Sequence, residues 1–164
     1  MNSALLINIA RFILLIALQI LLFNNINFLG EYNPYPYILF IILYPANSNK
    51  TGLLVASFLL GLTVDMFCNS GGVHAAASLI LAFFRPSIFK FSFGLSYEYQ
   101  TVKINDVLTP QRFSFILIAV LIHHFVLFLL EYFALSYILE ILIKTAISSV
   151  FTILLSILII YLVK

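Results

Sequence analysis

Long runs of apolar residues, separated by short polar segments, dominate this chain. The first run, residues 4–23, has about the length that an α-helix needs to cross a bilayer, and Arg11 is its only charged residue. Of the 164 residues, 63% are hydrophobic and 9% are charged, whereas a soluble domain has about 25% charged residues. So few charges cannot cover a surface that faces water on every side. The sequence therefore predicts a single all-α domain, residues 1–164, embedded in a membrane.

Proline, glycine and polar residues divide the chain into about six predicted helices. They are expected near residues 4–23, 35–44, 52–67, 73–85, 110–135 and 137–163. Thr109 and Pro110 mark the clearest start, as N-cap and first helical residue. Helix 4 is expected to stop at Arg85, because a following proline disfavours helical geometry. Helix 2 is too short to span alone, so either its flanks extend it or it re-enters the membrane, which leaves five spans.

The positive charges of the loops fall on one side of a six-helix arrangement. They occur in the loops after helices 2 and 4 and at the C-terminus: Lys50, Arg85, Lys90, Lys103, Arg112 and Lys164. Cytoplasmic loops carry an excess of Lys and Arg, so this side is predicted to be cytoplasmic, together with both termini. A five-span chain would have its ends on opposite sides. The first run lacks a basic start and a cleavage site, so we expect it to be retained as a helix.

The chain carries no pattern typical of catalysis or of nucleic-acid binding. Its net charge is +2 and it has no basic run, so no nucleic-acid partner is expected. No nucleophile motif, phosphate loop or helical pair of carboxylates occurs, and the polar segments are too short for a catalytic domain. His123 and His124 point about 100° apart on a helix, which disfavours a shared metal; interhelical hydrogen bonds suit them better. We expect no enzyme, no cofactor and no metal.

Small residues within helices 3 and 4 indicate a tight hairpin. Ser57, Gly61 and Asp65 recur every four residues, and small residues open helix 4; such faces let membrane helices approach closely. The Asp65 carboxylate is expected to accept hydrogen bonds from N–H groups near Gly72 to His74, at the positive end of helix 4. The His74 side chain is a possible second partner, and the glycines would let the backbone come close.

Other polar residues are placed toward the helix ends. Glu140 and Lys144 are four residues apart and are expected to pair within helix 6. Arg11 is expected to extend its side chain to the cytoplasmic surface. Because tryptophan is absent, tyrosines near the ends of the apolar runs would supply the interfacial belt: Tyr32, Tyr35, Tyr37, Tyr44, Tyr132, Tyr137 and Tyr161.

Part of this pattern resembles the MreD family of rod shape-determining membrane proteins. The segments concerned are Gly61-Leu62-Thr63-Val64-Asp65-Met66-Phe67, Gly71-Gly72-Val73-His74-Ala75-Ala76-Ala77 and Phe84-Arg85-Pro86. The family signature is a glycine-leucine pair and an aspartate that close the third helix, then a glycine turn and a small-residue helix. His123, His124 and Glu131 are similar to the branch found in Bacteroidetes. The absence of tryptophan and the long loop after helix 4 depart from the family.

The resemblance implies a role in cell shape without catalysis. MreD-like proteins of the bacterial cytoplasmic (inner) membrane associate with the bitopic protein MreC. Through MreC they join the MreB filament, RodA and a penicillin-binding transpeptidase, which direct lateral peptidoglycan synthesis. Their fold is similar to the six-helix substrate-binding subunits of energy-coupling-factor transporters. The residues implied in packing or in partner contacts are Gly61, Asp65, Gly71, Gly72, His74, Arg85, Pro86, His123, His124, Glu131, Glu140 and Lys144.

The alternative is a solute-binding subunit of a small transporter, with a vitamin-type substrate. Such a subunit presents several polar or aromatic groups to one pocket. Asp65, His74 and Glu131 are the candidates for that pocket, although the predicted outer loops are short.

Overall fold

The computed structural model describes residues 3–27, 31–46, 48–94 and 108–162. These residues form six α-helices: α1 (Ser3–Leu21), α2 (Leu39–Leu43), α3 (Lys50–Cys68), α4 (Val73–Phe93), α5 (Pro110–Tyr132) and α6 (Ile138–Leu162). Short 3₁₀ helices lie at Phe23–Asn25, Pro36–Ile38 and Leu135–Tyr137. Within the described part, five helices are long and apolar enough to cross a membrane, and α2 is too short. The described part of the chain is thus nearly all helical, which is consistent with an all-α membrane protein, and most predicted helix ends are displaced by a few residues.

The five long helices alternate in direction except for α1 and α3, which run parallel. Their C-terminal ends lie together, since Asn24 Nδ2 donates to Cys68 Sγ at 3.0 Å. α4 packs between α3 and α5, and α6 packs on α5. Ile7 near the start of α1 and Ile159 near the end of α6 line the same crevice. The two ends of the described chain therefore lie at one end of the bundle.

α2 and the residues around it run along the length of the bundle. Tyr35, before α2, borders the same opening as Asn24 and Glu131 at the end where α1 stops, and Tyr44, after α2, lies beside Gly52 in the first turn of α3. The segment therefore passes from the end of the bundle where α1 stops to the end where α3 starts. Residues 37–42 are at most 3% exposed. Both predictions for helix 2, that its flanks extend it across the membrane and that it is re-entrant, stay predictions, because α2 alone is too short to span.

The helix that the sequence predicts to end at Arg85 continues through Pro86 to Phe93. A proline inside a membrane helix removes one backbone hydrogen bond, and neighbouring groups compensate for it. Beyond the proline, Ile88 and Phe89 are buried, and the Phe89 ring centroid lies 4.4 Å from that of Phe115 in α5. This packing stabilises the last two turns of α4. The predicted start of α5 is confirmed, because Thr109 Oγ1 accepts from the Arg112 N–H.

Candidate functional site

Asp65 lies in the last turn of α3, and its carboxylate reaches the first turn of α4. Oδ1 accepts from the His74 N–H at 3.0 Å and from the Ser70 hydroxyl, and Oδ2 accepts from the Ala75 N–H at 2.8 Å. A helix leaves its first four N–H groups unpaired, and the carboxylate satisfies two of them at the positive end of the helix dipole. The predicted contact is present, one residue further along α4, and the His74 backbone makes it rather than the His74 ring.

Gly61 holds the two helices of this hairpin at backbone contact. A Cβ atom at this position would lie 2.3 Å from the His74 carbonyl oxygen and 2.5 Å from the Ala75 Cα. No side chain fits there without moving one backbone away from the other. Ser57, one turn earlier on the same face, is fully buried. The four-residue spacing of Ser57, Gly61 and Asp65 therefore marks the contact face of α3.

Gly71 and Gly72 shape the turn and do not mediate close approach, which corrects the prediction for them. Their φ angles are 70° and 96°, in the left-handed region that glycine adopts at little cost. A Cβ at either position would meet nothing within 4 Å. Close approach in this hairpin depends on Gly61.

Arg11 and Arg85 converge on the C-terminus of α2. Arg11 Nη1 donates to the Leu43 carbonyl at 3.2 Å, and Arg85 Nη2 donates to the carbonyls of Ile42, at 3.3 Å, and Tyr44. The last carbonyls of α2 have no hydrogen-bond partner within so short a helix. The two guanidinium groups donate to them and oppose the negative end of the helix dipole.

The position predicted for Arg85 is wrong. Arg11 is half-buried, and the reach of its side chain to the cytoplasmic surface stays a prediction. Arg85 is 5% exposed and lies within α4, not in a loop, with its guanidinium carbon 4.8 Å from the centroid of the Phe89 ring. Both side chains donate hydrogen bonds to carbonyls at the end of the five-residue helix α2.

His124 joins α5 to α6 and to the segment before α2. Its Nε2 lies 3.0 Å from Thr152 Oγ1, and its Nδ1 lies 2.9 Å from the Val120 carbonyl oxygen. A carbonyl only accepts, so Nδ1 carries the proton and Nε2 accepts from the Thr152 hydroxyl. Thr152 Oγ1 in turn accepts from the Tyr35 N–H. The interhelical hydrogen bonding that the sequence predicts for His124 is therefore present.

Tyr37 lies between His123 and His74 in the centre of the bundle. Its hydroxyl is 2.8 Å from His123 Nε2, which gives His123 the interhelical bond predicted for it. The Tyr37 ring stacks on the His74 ring, with centroids 5.9 Å apart and planes inclined by 23°. Tyr37 is fully buried, so its predicted place in an interfacial belt is wrong. Helical periodicity could not reveal that Tyr37 is buried, because Tyr37 lies in a short 3₁₀ helix and α2 begins only at Leu39.

The predicted pairing of Lys144 with Glu140 is also wrong. Lys144 Nζ lies 3.7 Å from Glu131 Oε1 across the α5–α6 contact, and among the described residues it has no ion pair with Glu140. The ammonium also lies 5.1 Å from the centroid of the Tyr132 ring and 5.8 Å from that of Phe128. These rings of α5 attract the cation toward that helix, while Glu140 is exposed.

A cavity of about 650 Å³ opens at the end of the bundle where α1, α3 and α5 stop; we call it the terminal cavity. Four of its residues come from the last turns of α3 and α5, namely Phe67, Cys68, Leu130 and Glu131, and the 3₁₀ helix after α1 adds Asn24 and Asn25. The others come from the loops and from the start of α4: Asn33, Tyr35, Ser70, Val73 and His74. Two of the three predicted pocket residues, His74 and Glu131, thus line one cavity, and Asp65 lies behind Ser70. Three asparagines that the sequence analysis did not select join them.

The described residues contain no group of three or more His, Cys, Asp or Glu that could hold a metal ion. No protein-family model matches the chain, and no curated protein or solved structure shows significant similarity to it.

Proposed function

We propose that this chain is a membrane scaffold of the MreD type, without catalytic activity, that binds MreC and helps to position lateral peptidoglycan synthesis. One observation carries the proposal: the residues of the resembling motif serve architecture. Gly61 allows two backbones to touch, Gly71 and Gly72 form the turn, and Asp65 caps α4. A hairpin stabilised in this way offers a partner a surface of fixed shape. MreB, RodA and the transpeptidase would join through MreC.

The proposed location is the bacterial cytoplasmic membrane, with both termini in the cytoplasm. The charge distribution supports it. The four described acidic residues lie at or near the end of the bundle that holds the terminal cavity: Glu31, Asp65, Glu131 and Glu140. Of the described cations, only Lys144 lies there; Lys50, Lys90 and Arg112 are in end turns at the opposite end.

Cys68 makes this orientation testable, because it is the only cysteine of the chain and is exposed beside the terminal cavity. A membrane-impermeant maleimide added to spheroplasts should label Cys68. In a Cys68→Ser background, Lys90→Cys should be labelled only after the membrane is permeabilised. The reverse pattern would show that the orientation is inverted.

The scaffold proposal is tested by in-cell cross-linking and co-purification with MreC. We expect the native chain to recover MreC, and its depletion to make rod-shaped cells round. Asp65→Leu should lower both protein abundance and MreC recovery, Asp65→Asn should lower them less, and the exposed neighbour variant Met66→Ala should change neither. Failure to recover MreC, or cells that stay rod-shaped on depletion, would contradict the proposal. A stable Asp65→Leu chain that binds MreC without supporting shape would assign Asp65 a direct chemical role.

The second candidate function is a solute-binding subunit, and the terminal cavity is the observation that favours it. Its volume is within the usual range of about 300–1,000 Å³ for small-molecule sites. Depletion would then impair uptake of a solute and leave cell shape unchanged.

A further inference from the structure

We infer that the terminal cavity binds a small organic cation, a compound with a primary or quaternary ammonium group. The inference is independent of the scaffold function and would supply the ligand class for the second candidate. It follows from the helix ends, the carboxylates and the uncharged groups that form the wall.

Three helical segments direct their C-terminal ends to this cavity. They end at Asn25, Cys68 and Tyr132, and each contributes residues of its last turn to the wall. The unpaired carbonyls of a helix C-terminus carry partial negative charge and favour a cation. The N-terminus of α4 also reaches the cavity, but the Asp65 carboxylate already opposes its positive end.

Two carboxylates strengthen this field. Glu131 is on the wall and is 47% exposed, with one oxygen directed to Lys144. Asp65 lies one hydrogen bond behind the wall, where it accepts from the Ser70 hydroxyl. Lys144 does not line the cavity, and its ammonium lies over the rings of α5. Since no lysine or arginine among the described residues lines the cavity, an anionic ligand would meet no opposite charge there.

The uncharged groups of the wall suit an ammonium ion as well. The amide oxygens of Asn25 and Asn33 can accept from its N–H groups, and the aromatic side chains of Tyr35 and Phe67 line the same space. Aromatic rings attract quaternary ammonium groups, which lack N–H donors, through the cation–π interaction. The His74 ring, 6% exposed, also borders the cavity. The polar wall does not suit a wholly apolar solute.

Cys68 reports on the electrostatics of the cavity without any engineered residue. In detergent, the native chain would be modified with a trimethylammonium-ethyl and with a sulfonatoethyl methanethiosulfonate. Each rate would be divided by the rate of the same reagent with a small thiol in solution. We expect the normalised rate of the cationic reagent to exceed that of the anionic one by about tenfold, because a charged cleft concentrates its counter-ion. A ratio near one would overturn the inference.

Glu131→Gln and Glu140→Gln form a matched pair for the source of this preference. Both remove one carboxylate at the same end of the bundle, but only Glu131 lines the cavity. Glu131→Gln should lower the rate ratio, and Glu140→Gln should leave it unchanged. Equal decreases would show a general surface field and would refute a built site.

Reversible binding is tested on the native chain, so the result does not depend on how a variant folds. Choline should slow the reaction of Cys68 with uncharged N-ethylmaleimide in a saturable manner. The neutral analogue 3,3-dimethyl-1-butanol, which has the same shape, should not slow it. Protection by neither compound, or equal protection by both, would contradict a cation site.

Discussion

The start of α4 and the end of α2 pose the same physical problem with opposite signs. Each is a helix end whose unpaired backbone groups are bound by side chains from other helices. At the start of α4 the unpaired groups are N–H donors, and the Asp65 carboxylate accepts from two of them. At the end of α2 they are carbonyls, and the guanidinium groups of Arg11 and Arg85 donate to three of them.

The difference lies in where the capping residue comes from. Asp65 is 9 residues from His74, within one hairpin, so a local turn brings the carboxylate to its partners. Arg11 is 32 residues from Leu43, and Arg85 is 41 from Tyr44, so two other helices must be in place first. The cap of α4 can form with its hairpin, whereas the caps of α2 depend on the assembled bundle.

The largest effect is expected from Arg85→Met, which leaves two carbonyls of the α2 end without this donor. Each unsatisfied buried group costs about 1–3 kcal/mol, so the loss for two groups should be about 2–6 kcal/mol. It would appear as a lower temperature for loss of the monodisperse peak after heating in detergent. Arg85→Lys keeps the charge without the planar, forked donor geometry of arginine. Its stability should lie between those of the native chain and Arg85→Met. The exposed Lys90→Met in the same helix is the control, and equal effects at both positions would reject the capping role.

Asp65→Leu removes the acceptor of two N–H donors and of the Ser70 hydroxyl. It should have the second-largest effect, about 1–3 kcal/mol, because Ser70 and His74 border the open terminal cavity, where water can replace part of the lost acceptor. Asp65→Asn keeps one amide oxygen and should recover part of the loss.

Because the cap of α4 lies within its own hairpin, a peptide of residues 50–93 should form the hairpin in lipid. The same peptide with Asp65→Leu should not form it. A hairpin that persists after this substitution would show that Gly61 packing alone suffices.

The contrast also explains what could be predicted from the sequence. The α3–α4 hairpin was accessible because Gly61, Asp65 and the turn glycines follow local rules of spacing and backbone conformation. The arginine sites were not, because no local pattern connects Arg11 or Arg85 with the carbonyls of α2. The proline rule placed the end of α4 too early, since it does not include the packing of Phe89 on Phe115.

The residues of the terminal cavity also differ in whether the sequence could reveal them. Glu131 and His74 could be selected as ionisable residues in apolar helices. The asparagines of the wall could not, because polar loop residues are common and only the folded chain shows which of them share a cavity. The sequence predicts Glu140, four residues away in the same helix, as the partner of Lys144, yet the partner is Glu131 in α5.

Arg11→Leu should lower stability less than Arg85→Met or Asp65→Leu. We expect about 1 kcal/mol, because a single carbonyl, that of Leu43, loses its donor. Arg11 is also less buried than Arg85, so the polar atoms that remain are more accessible. The measurement is again the stability to heating in detergent, with Arg11→Lys as the charge-retaining partner. An effect larger than that of Arg85→Met would mean that Arg11 is the principal cap of α2.

The smallest effect is expected for the Glu131–Lys144 pair, which tests whether an ion pair near the membrane edge resembles the buried caps. Glu131 is 47% exposed and the two charged atoms are 3.7 Å apart, so solvent screens much of their attraction. A double-mutant cycle with Glu131→Gln and Lys144→Gln should give a coupling of about 0.2–1 kcal/mol in thermal stability, as for other exposed pairs.

The matched cycle with Glu140→Gln should give a coupling close to zero, because Glu140 is not paired with Lys144. A larger coupling to Glu140 would restore the intrahelical pair that the sequence predicts. A Glu131 coupling as large as the Asp65 effect would mean that this pair, like the two caps, is shielded from solvent.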